Sequence, residues 1–497
     1  MRNPLLITLA EIAHRLDGEL SGDGAVALHD VTHDSRSVGP GSLFVAVPGH
    51  NRDGHRFMDQ AVDRGAGAAL VEEYVLSVSI PQLKVADTRR VLGVVASWVH
   101  GDPSHDLEII GVTGTNGKTT VTVMLEAIAE AAGRPFGRIG TLGVNINGKT
   151  QPQALTTPEG SDLQRTLKKM VDGGVSMVAM EVSSHSLALH RVEGTSFQVA
   201  AFTNLSQDHL DFHGTMENYY GAKARLFNGH SSAYVVDVTS SAGRRLADSL
   251  SDQVVTVGRG SGHDVAIFRP EANLFAARFR CEIAGRSLSL EIKPGGLHNI
   301  HNAALAAACA VEVGIGTEDI IQGLASVKRV RGRLDPVDLG QTFGVLVDYA
   351  HSPEAVESVI STAKSHALGR VIVVVGAAGE RDPTKRPLLG AAAAEADLAV
   401  ITSDNPRRED PDTLVKQVLK GTGGGSAQVL AEVDREKAIR LAIDQAESGD
   451  TVLILGKGHE TYQDFGNRVV SFDDRAIAAD QLRRRRSARI STEGGRG

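Results

Sequence analysis

The chain has 497 residues, 41% hydrophobic and 23% charged, with a formal net charge of −8; it is too long for one hydrophobic core, and about three globular domains are expected. That acidic balance excludes a general affinity for nucleic acid or anionic membrane, so an anionic ligand must be met by local cations. The only two cysteines, Cys281 and Cys309, stand in unrelated contexts, which excludes a disulfide framework or a cysteine metal site and fits a reducing compartment.

Residues 1–7 are apolar enough to suggest a signal peptide, but Glu11, His14 and Arg15 interrupt the run. None is expected, no stretch approaches the ~18 apolar residues of a membrane span, and the protein is placed in the cytoplasm. Residues 1–105 read as short strands and helices. A buried strand at 41–47 separates two polar clusters, 32–36 and 49–57, and Gly101-Asp102-Pro103-Ser104 is a turn-rich break that marks a first boundary.

The second domain opens on Gly111-Val112-Thr113-Gly114-Thr115-Asn116-Gly117-Lys118-Thr119-Thr120. An apolar strand at 107–112 precedes it and a helical segment at 121–132 follows. Strand, glycine turn and helix N-terminus form a cradle for nucleotide phosphates, with Lys118 on the outer phosphates and Thr119 on Mg²⁺. Val112 stands where the usual pattern has glycine. Strands and helices then alternate, which predicts a mostly parallel sheet. Two expected strands, 175–182 and 197–204, end in polar clusters, residues 181–185 and 203–209, at the edge where ligands bind in such sheets. Residues 265–292 read as antiparallel hairpins, and an alanine-rich helix follows 295–302.

Residues 331–336 mark the second boundary. Beyond it, expected strands at 344–348, 370–376, 398–403, 428–431 and 451–455 define a Rossmann-like α/β domain without a dinucleotide fingerprint. Residues 421–425 read as a flexible loop, and the four arginines at 483–486 as a solvated helix end running into disorder. On composition alone Lys223 is a surface lysine of a helix. The expected fold class is therefore α/β in three domains: 1–105, 106–333 around the phosphate loop, and 334–497.

Taken in order, Thr113 to Thr120, Glu181-Val182-Ser183-Ser184-His185, Asp208-His209-Leu210-Asp211, His298-Asn299 with Asn302, and Asp348-Tyr349-Ala350-His351-Ser352-Pro353 resemble the motifs of the Mur ligases. The match runs through all three expected domains. Within the family, the chain resembles the members that add the third residue of the peptidoglycan stem. The resemblance implies an ATP-dependent, amide-forming ligase of cell wall synthesis, serving cell shape and division. ATP would phosphorylate the D-glutamate γ-carboxylate of UDP-MurNAc-L-Ala-D-Glu, and an incoming amine would displace phosphate.

The resemblance also assigns residues. Lys118, Glu181, His209 and Lys223 become catalytic. Gly114, Thr115, Asn116, Gly117, Lys118, Thr119 and Thr120, with Asn299, Asn302, Arg333 and Asp348, hold ATP. One Mg²⁺ belongs on Thr119 and Glu181, and a second near His209. The lysine matching Lys223 is carbamoylated in the family, which makes it a ligand and reverses the surface reading. Ser35, in the 1–105 domain, belongs to the uridine-nucleotide site, and Thr156, Thr157, Ser183 and Arg191 to the muramoyl-dipeptide. Leu189 departs from the glutamine of some members.

Asp404-Asn405-Pro406-Arg407 is by itself an Asx-Pro turn. In this family it resembles the motif of members selecting meso-diaminopimelate over lysine. Arg407 would grip the distal carboxylate in bidentate fashion, and Arg386, Gly456 and Glu460 would complete the pocket, Glu460 on the distal ammonium. Expected partners are small-molecule substrates alone, with a monomeric protein and no nucleic acid. A folylpolyglutamate synthetase-like enzyme is disfavoured by the domain that precedes the phosphate loop. A nucleic-acid-stimulated ATPase is disfavoured by the acidic balance.

Overall fold

The computed structural model describes residues 7–49, 52–227, 231–250, 254–293 and 295–494. His50 and Asn51 of the second polar cluster, residues 1–6 of the N-terminal run and residues 495–497 of the tail lie outside them. The chain forms three α/β domains gathered in two compact units. The first holds the chain up to Asn204 with Tyr220–Val257 and Leu305–Gly323; the second holds Leu205–Tyr219, Gly258–Ala304 and Leu324–Gly497.

In the first unit, five short strands line up in the order Glu19–Ser21, Gln82–Lys84, Ala68–Val71, Ser42–Val45 and Asp30–Thr32. Side chains alternate between two cores, as the period of two requires. Leu43, Val45 and Leu70 pack under Leu92, Val95 and Ala96 of the helix Thr88–Val99, while Phe44, Ala69 and Val71 pack on Met58 and Ala61. The strand expected at 41–47 is buried on both faces.

The same unit carries the parallel sheet, ordered Phe136–Gly140, Met177–Glu181, Glu108–Thr113, Phe197–Phe202, Ser231–Asp237 and Val254–Arg259. Val112 lies opposite both Glu181 and Ala201. That register brings the phosphate loop, Glu181 and Thr203-Asn204 to one carboxyl edge.

In the second unit, Val265–Ala272, Ala277–Ile283 and Arg286–Ile292 form the expected antiparallel meander. The other sheet runs in the order Asp335–Pro336, Gly344–Asp348, Thr451–Leu455, Val371–Ala377, Leu398–Ser403 and Gln428–Ala431; all pairs are parallel except the first. Helices Pro353–Lys364, Lys385–Ala393 and Pro411–Leu419 cover one face, and Arg435–Gln445 with Asp474–Gly494 the other. Doubly wound sheets open their crevice at the carboxyl ends, here after Asp348, Ala377, Ser403 and Leu455.

The arginine run lies on the last helix, Asp474–Gly494, as expected, with Arg483, Arg484 and Arg486 exposed. Arg485 hydrogen-bonds the carbonyls of Ile443 and Ala446 at the end of the helix Arg435–Gln445 and lies 5.0 Å over Phe343, a cation at a helix C-terminus. Residues 421–425 contain a 3₁₀ turn, Thr422–Gly424, pinned by Thr422 Oγ1 donating to the Leu419 carbonyl at 2.9 Å.

Candidate active site

Gly114 and Gly117 carry the turn from the strand Glu108–Thr113 into the helix Lys118–Ala131, with φ +147° and +91°. A Cβ on Gly114 would collide with Thr203 Oγ1, so glycine is required there. The helix starts at Lys118, three residues before the expected 121, and places Lys118, Thr119 and Thr120 in the first turn, where N–H groups lack intrahelical acceptors.

Lys118 Nζ donates to the carbonyls of Gly114 at 2.8 Å and Thr115 at 2.9 Å. Lys223 Nζ also donates to Gly114, at 2.8 Å, and the residue is 1% exposed. The surface reading of Lys223 is therefore wrong. Packing decides its burial, and the polar, period-free helix Met216–Ala224 gives no sign of it.

Thr119 Oγ1 donates to Glu181 Oε2 at 2.9 Å. Glu181 is fully buried and also accepts from Thr141, through its N at 2.8 Å and its Oγ1 at 2.9 Å. Gly140 leaves the carboxylate its space, since a Cβ there would collide with Oε1. A hydroxyl and an oriented carboxylate beside a phosphate loop are the hard oxygen donors Mg²⁺ takes; the residues fit the ion. Thr141, which orients Glu181, was not singled out in the sequence, because nothing local marks it.

Around Glu181 runs a chain of hydroxyls. Thr156 Oγ1 lies 3.2 Å from Thr141 Oγ1, and Thr157 Oγ1 donates to the Glu181 carbonyl at 2.8 Å and lies 3.4 Å from Ser183 Oγ. Ser183 caps the helix Ser184–Ala188. Arg191 pairs with Glu159 at 2.9 Å, and Arg89 reaches the same carboxylate at 3.2 Å. Ser35 is buried and donates to Gln60 Oε1 at 2.7 Å.

In the second unit, a cavity of about 290 Å³ opens at the crevice. It is lined by Arg386, Asp404, Asn405, Arg407, Gly456 and Glu460, and also by Asp208, His209, Asp211, Tyr349, His351, Arg381, Lys385 and Tyr462. It is thus not confined to the chain beyond 334. Of the residues expected for the incoming amino acid, Pro406 alone does not line it.

Asp208 is the hub of one side. Its carboxylate meets Lys385 at 2.7 Å and the Nε2 atoms of His351 and His209 at 3.5 Å each. Burial opposes its charge, but the hydrogen bond from His351 and the surrounding cations hold its carboxyl far below the usual range. Burial likewise opposes a charged His351, yet Asp208 raises its pKa. His209 sits in the left-handed region at φ +53°, at the start of the turn Leu210–His213.

On the other side, the strand Tyr462–Asp464 sews down the Asp404–Arg407 loop. Gln463 Nε2 donates to the Asp404 carbonyl at 2.6 Å, Asp464 N to Asn405 Oδ1 at 3.0 Å, and Arg407 N to the Asp464 carbonyl at 2.9 Å. Arg407 takes φ +53°, and among the described residues its guanidinium has no ion-pair partner. Arg386 is held bidentately by Glu409, both bonds at 2.8 Å. Glu460 Oε2 accepts from Lys457 Nζ at 2.8 Å and Asn405 Nδ2 at 2.9 Å. Gly456 has φ +113°, and a Cβ there would stand 2.5 Å from Asp404 Oδ2. Lys457 and Lys385 were missed in the sequence, although each adjoins a residue that was named.

Asn299 and Asn302 share a face of the helix Leu297–Glu312, with Asn302 Nδ2 donating to Asn299 Oδ1 at 2.9 Å. Asp348 accepts from the backbone of Leu334 at 2.6 Å and Ala350 at 2.7 Å. Arg333 lies 4.7 Å over the Tyr349 ring, and His459, at 5.1 Å from that ring, is pushed down to about 4 by burial.

A phosphate loop facing a buried glutamate, two doubly covered sheets and a charged crevice define an ATP-using α/β ligase scaffold. Family models agree: "Mur ligase family, catalytic domain" matches residues 27–98, "Mur ligase middle domain" 112–310, and "Mur ligase, glutamate ligase domain" 332–458. The chain belongs to the Mur ligase family. A relative from Geobacillus thermodenitrificans (strain NG80-2), named UDP-N-acetylmuramoyl-L-alanyl-D-glutamate--2,6-diaminopimelate ligase, is 45% identical over 462 residues, covering 91% of this chain and 94% of its own. One from Geobacillus kaustophilus (strain HTA426) with the same name is 44% identical over 461 residues, with the same coverages of 91% and 94%. A solved structure under that name is 29% identical, covers 97% of this chain and 100% of its own, and superposes with a TM-score of 0.68.

Proposed function

We propose that this chain is an ATP-dependent ligase that joins meso-diaminopimelate to the D-glutamate γ-carboxylate of UDP-MurNAc-L-Ala-D-Glu in peptidoglycan precursor synthesis. A carboxylate oxygen attacks the γ-phosphorus of ATP and ADP leaves. The amine of diaminopimelate then attacks the acyl carbon, the carbon–oxygen bond to phosphate breaks, and an amide forms. Bringing a carboxylate to a triphosphate concentrates negative charge, so fixed cations and N–H donors carry the catalysis. Lys118 and the first turn of its helix supply them on the triphosphate. Mg²⁺ held by Thr119 and Glu181, together with a second ion near His209, would neutralise the phosphoryl oxygens. A carbamoylated Lys223 would offer a carboxylate where an ammonium now crowds Lys118.

The observation that carries this reading is the crevice cavity. One space is lined by two carboxylates, Asp404 and Glu460, and by Arg407, a set suited to an ammonium and a carboxylate on one carbon. The printed names of the relatives point the same way. Residues 1–105 would bind the uridine nucleotide through Ser35, 106–333 ATP, and 334–497 the incoming amino acid. The enzyme would act as a monomer in the cytoplasm.

The acyl phosphate is tested by labelling the γ-carboxylate with ¹⁸O. Phosphate released during turnover should carry one labelled oxygen. Unlabelled phosphate alongside tripeptide product would contradict the mechanism.

A further inference from the structure

Lys457 is fully buried, yet its ammonium is used within the cavity wall. It donates to Glu460 Oε2 at 2.8 Å and Asn405 Oδ1 at 2.9 Å, and stands 3.8 Å from Asp404 Oδ1. Asn405 closes the ring by donating its amide to the same Oε2 at 2.9 Å. Both donors therefore take one oxygen of Glu460 and leave Oε1 to the cavity. Beneath lies a second pair, Arg435 with Asp474, both side chains at 0% exposure, joined at 2.7 and 2.8 Å. Arg435 also donates to the Leu455 carbonyl, just before Gly456 and Lys457.

The charges of this wall balance. Three carboxylates, Asp404, Glu460 and Asp474, stand against three cations, Lys457 and Arg435, which pair with them, and Arg407, which faces the cavity. A balanced wall suits a group that is itself neutral in sum, an ammonium and a carboxylate on one carbon. A lone ammonium on an alkyl chain would bring an uncancelled positive charge and leave Arg407 facing nothing. Specificity is a difference between two affinities, so misplacing one charge acts on the wrong substrate as well as the right one.

We infer that Lys457 is a positioning residue that sets substrate choice: it cancels the charge of Glu460 and aims that carboxylate and Asn405, so that the pocket takes a zwitterionic amino acid end and rejects a simple ammonium. This deepens the ligase reading and rests on it. Without Lys457, Asp404 and Glu460 would be two close carboxylates answered by Arg407 alone at the cavity, a surface that favours a cation. A merely structural lysine would lower stability and harm all substrates alike.

The test compares wild type, K457M and the double variant K457M/E460Q, with steady-state kinetics on ATP, UDP-MurNAc-L-Ala-D-Glu and either meso-diaminopimelate or L-lysine. For K457M, the ratio of kcat/KM for diaminopimelate over lysine should fall about tenfold or more, with the loss falling on KM for diaminopimelate and not on KM for ATP. The double variant also loses the carboxylate that takes the distal ammonium, so kcat/KM should fall for both amino acids alike, while the ratio between them, with the charge balance of the wall restored, should recover to within about threefold of wild type. An unchanged ratio in K457M, or a double variant as unselective as the single one, overturns the inference. Should K457M not fold, K457Q, which keeps a polar side chain of similar length but not the charge, takes its place under the same criteria, because it can still hydrogen-bond Asn405 and Glu460. Wild type that ligates neither amino acid overturns the ligase reading itself, whereas wild type that ligates diaminopimelate with K457M unaltered overturns only the role of Lys457.

Discussion

Lys118 and Lys223 bring their ammonium groups to the same acceptor, the carbonyl oxygen of Gly114, each at 2.8 Å. Two cations on one carbonyl, with Lys223 buried, is an arrangement that conversion of one amine to a carbamate would relieve. Activity should therefore depend on dissolved carbon dioxide. Enzyme held in carbonate-stripped buffer should lose about tenfold in turnover and regain it on adding bicarbonate, in line with the loss of one metal-orienting group. Turnover indifferent to bicarbonate, in enzyme whose intact mass shows no added carboxyl, would count against the modification.

Glu181 accepts from Thr119 and twice from Thr141, so its carboxylate is already oriented before any ion arrives. Glu181→Gln keeps the shape and removes the charge. Phosphate release at saturating substrates should drop about 100-fold or more, the scale seen when one preorganised electrostatic group is lost. A Mg²⁺ titration should show the half-saturating concentration rising as well. A variant with unchanged Mg²⁺ dependence would remove Glu181 from the metal's shell.

Arg435 and Asp474 are joined by two hydrogen bonds with neither side chain exposed. Breaking the pair leaves an uncompensated buried charge, so Arg435→Met should cost about 3–5 kcal/mol, while Arg435→Met with Asp474→Leu should cost much less. Urea unfolding of both variants measures the difference. Equal losses would mean that packing, not charge, governs the site.

The His351–Asp208 pair gives a pH signature. The folded pKa of His351 is raised, so its contribution is fully present below its ordinary value of about 6.5 and disappears as pH rises through the folded value. Asp208 has a lowered pKa; its contribution is present above the ordinary carboxylate value and would be lost only in strong acid. His351→Gln should therefore lose more stability at mildly acidic pH than at alkaline pH. Denaturation midpoints of wild type and variant at both pH values check this, and a gap that widens with rising pH would contradict it.

Much of the fold was legible because its signals are local. The C-terminal strands are short β-branched runs bounded by turn residues, and those expected at 344–348, 398–403, 428–431 and 451–455 stand at those bounds. Gly114 to Thr120 were legible because a strand–glycine turn–helix has few other uses. What escaped depends on tertiary packing. Lys223 is buried by neighbours remote in sequence. Asp208 gathers Lys385 and His351 from far along the chain, and no spacing rule links them. The anchoring of Arg485 within the otherwise solvated arginine run was not legible, because its acceptors lie at the end of another helix.

The most direct measurement of the central claim is phosphate release from ATP with Mg²⁺ and UDP-MurNAc-L-Ala-D-Glu, comparing meso-diaminopimelate with L-lysine. The account predicts release coupled to tripeptide formation with diaminopimelate and little with lysine. Efficient release with lysine would contradict the role given to the Asp404–Arg407 loop and Glu460, and no release with either would contradict the ligase assignment.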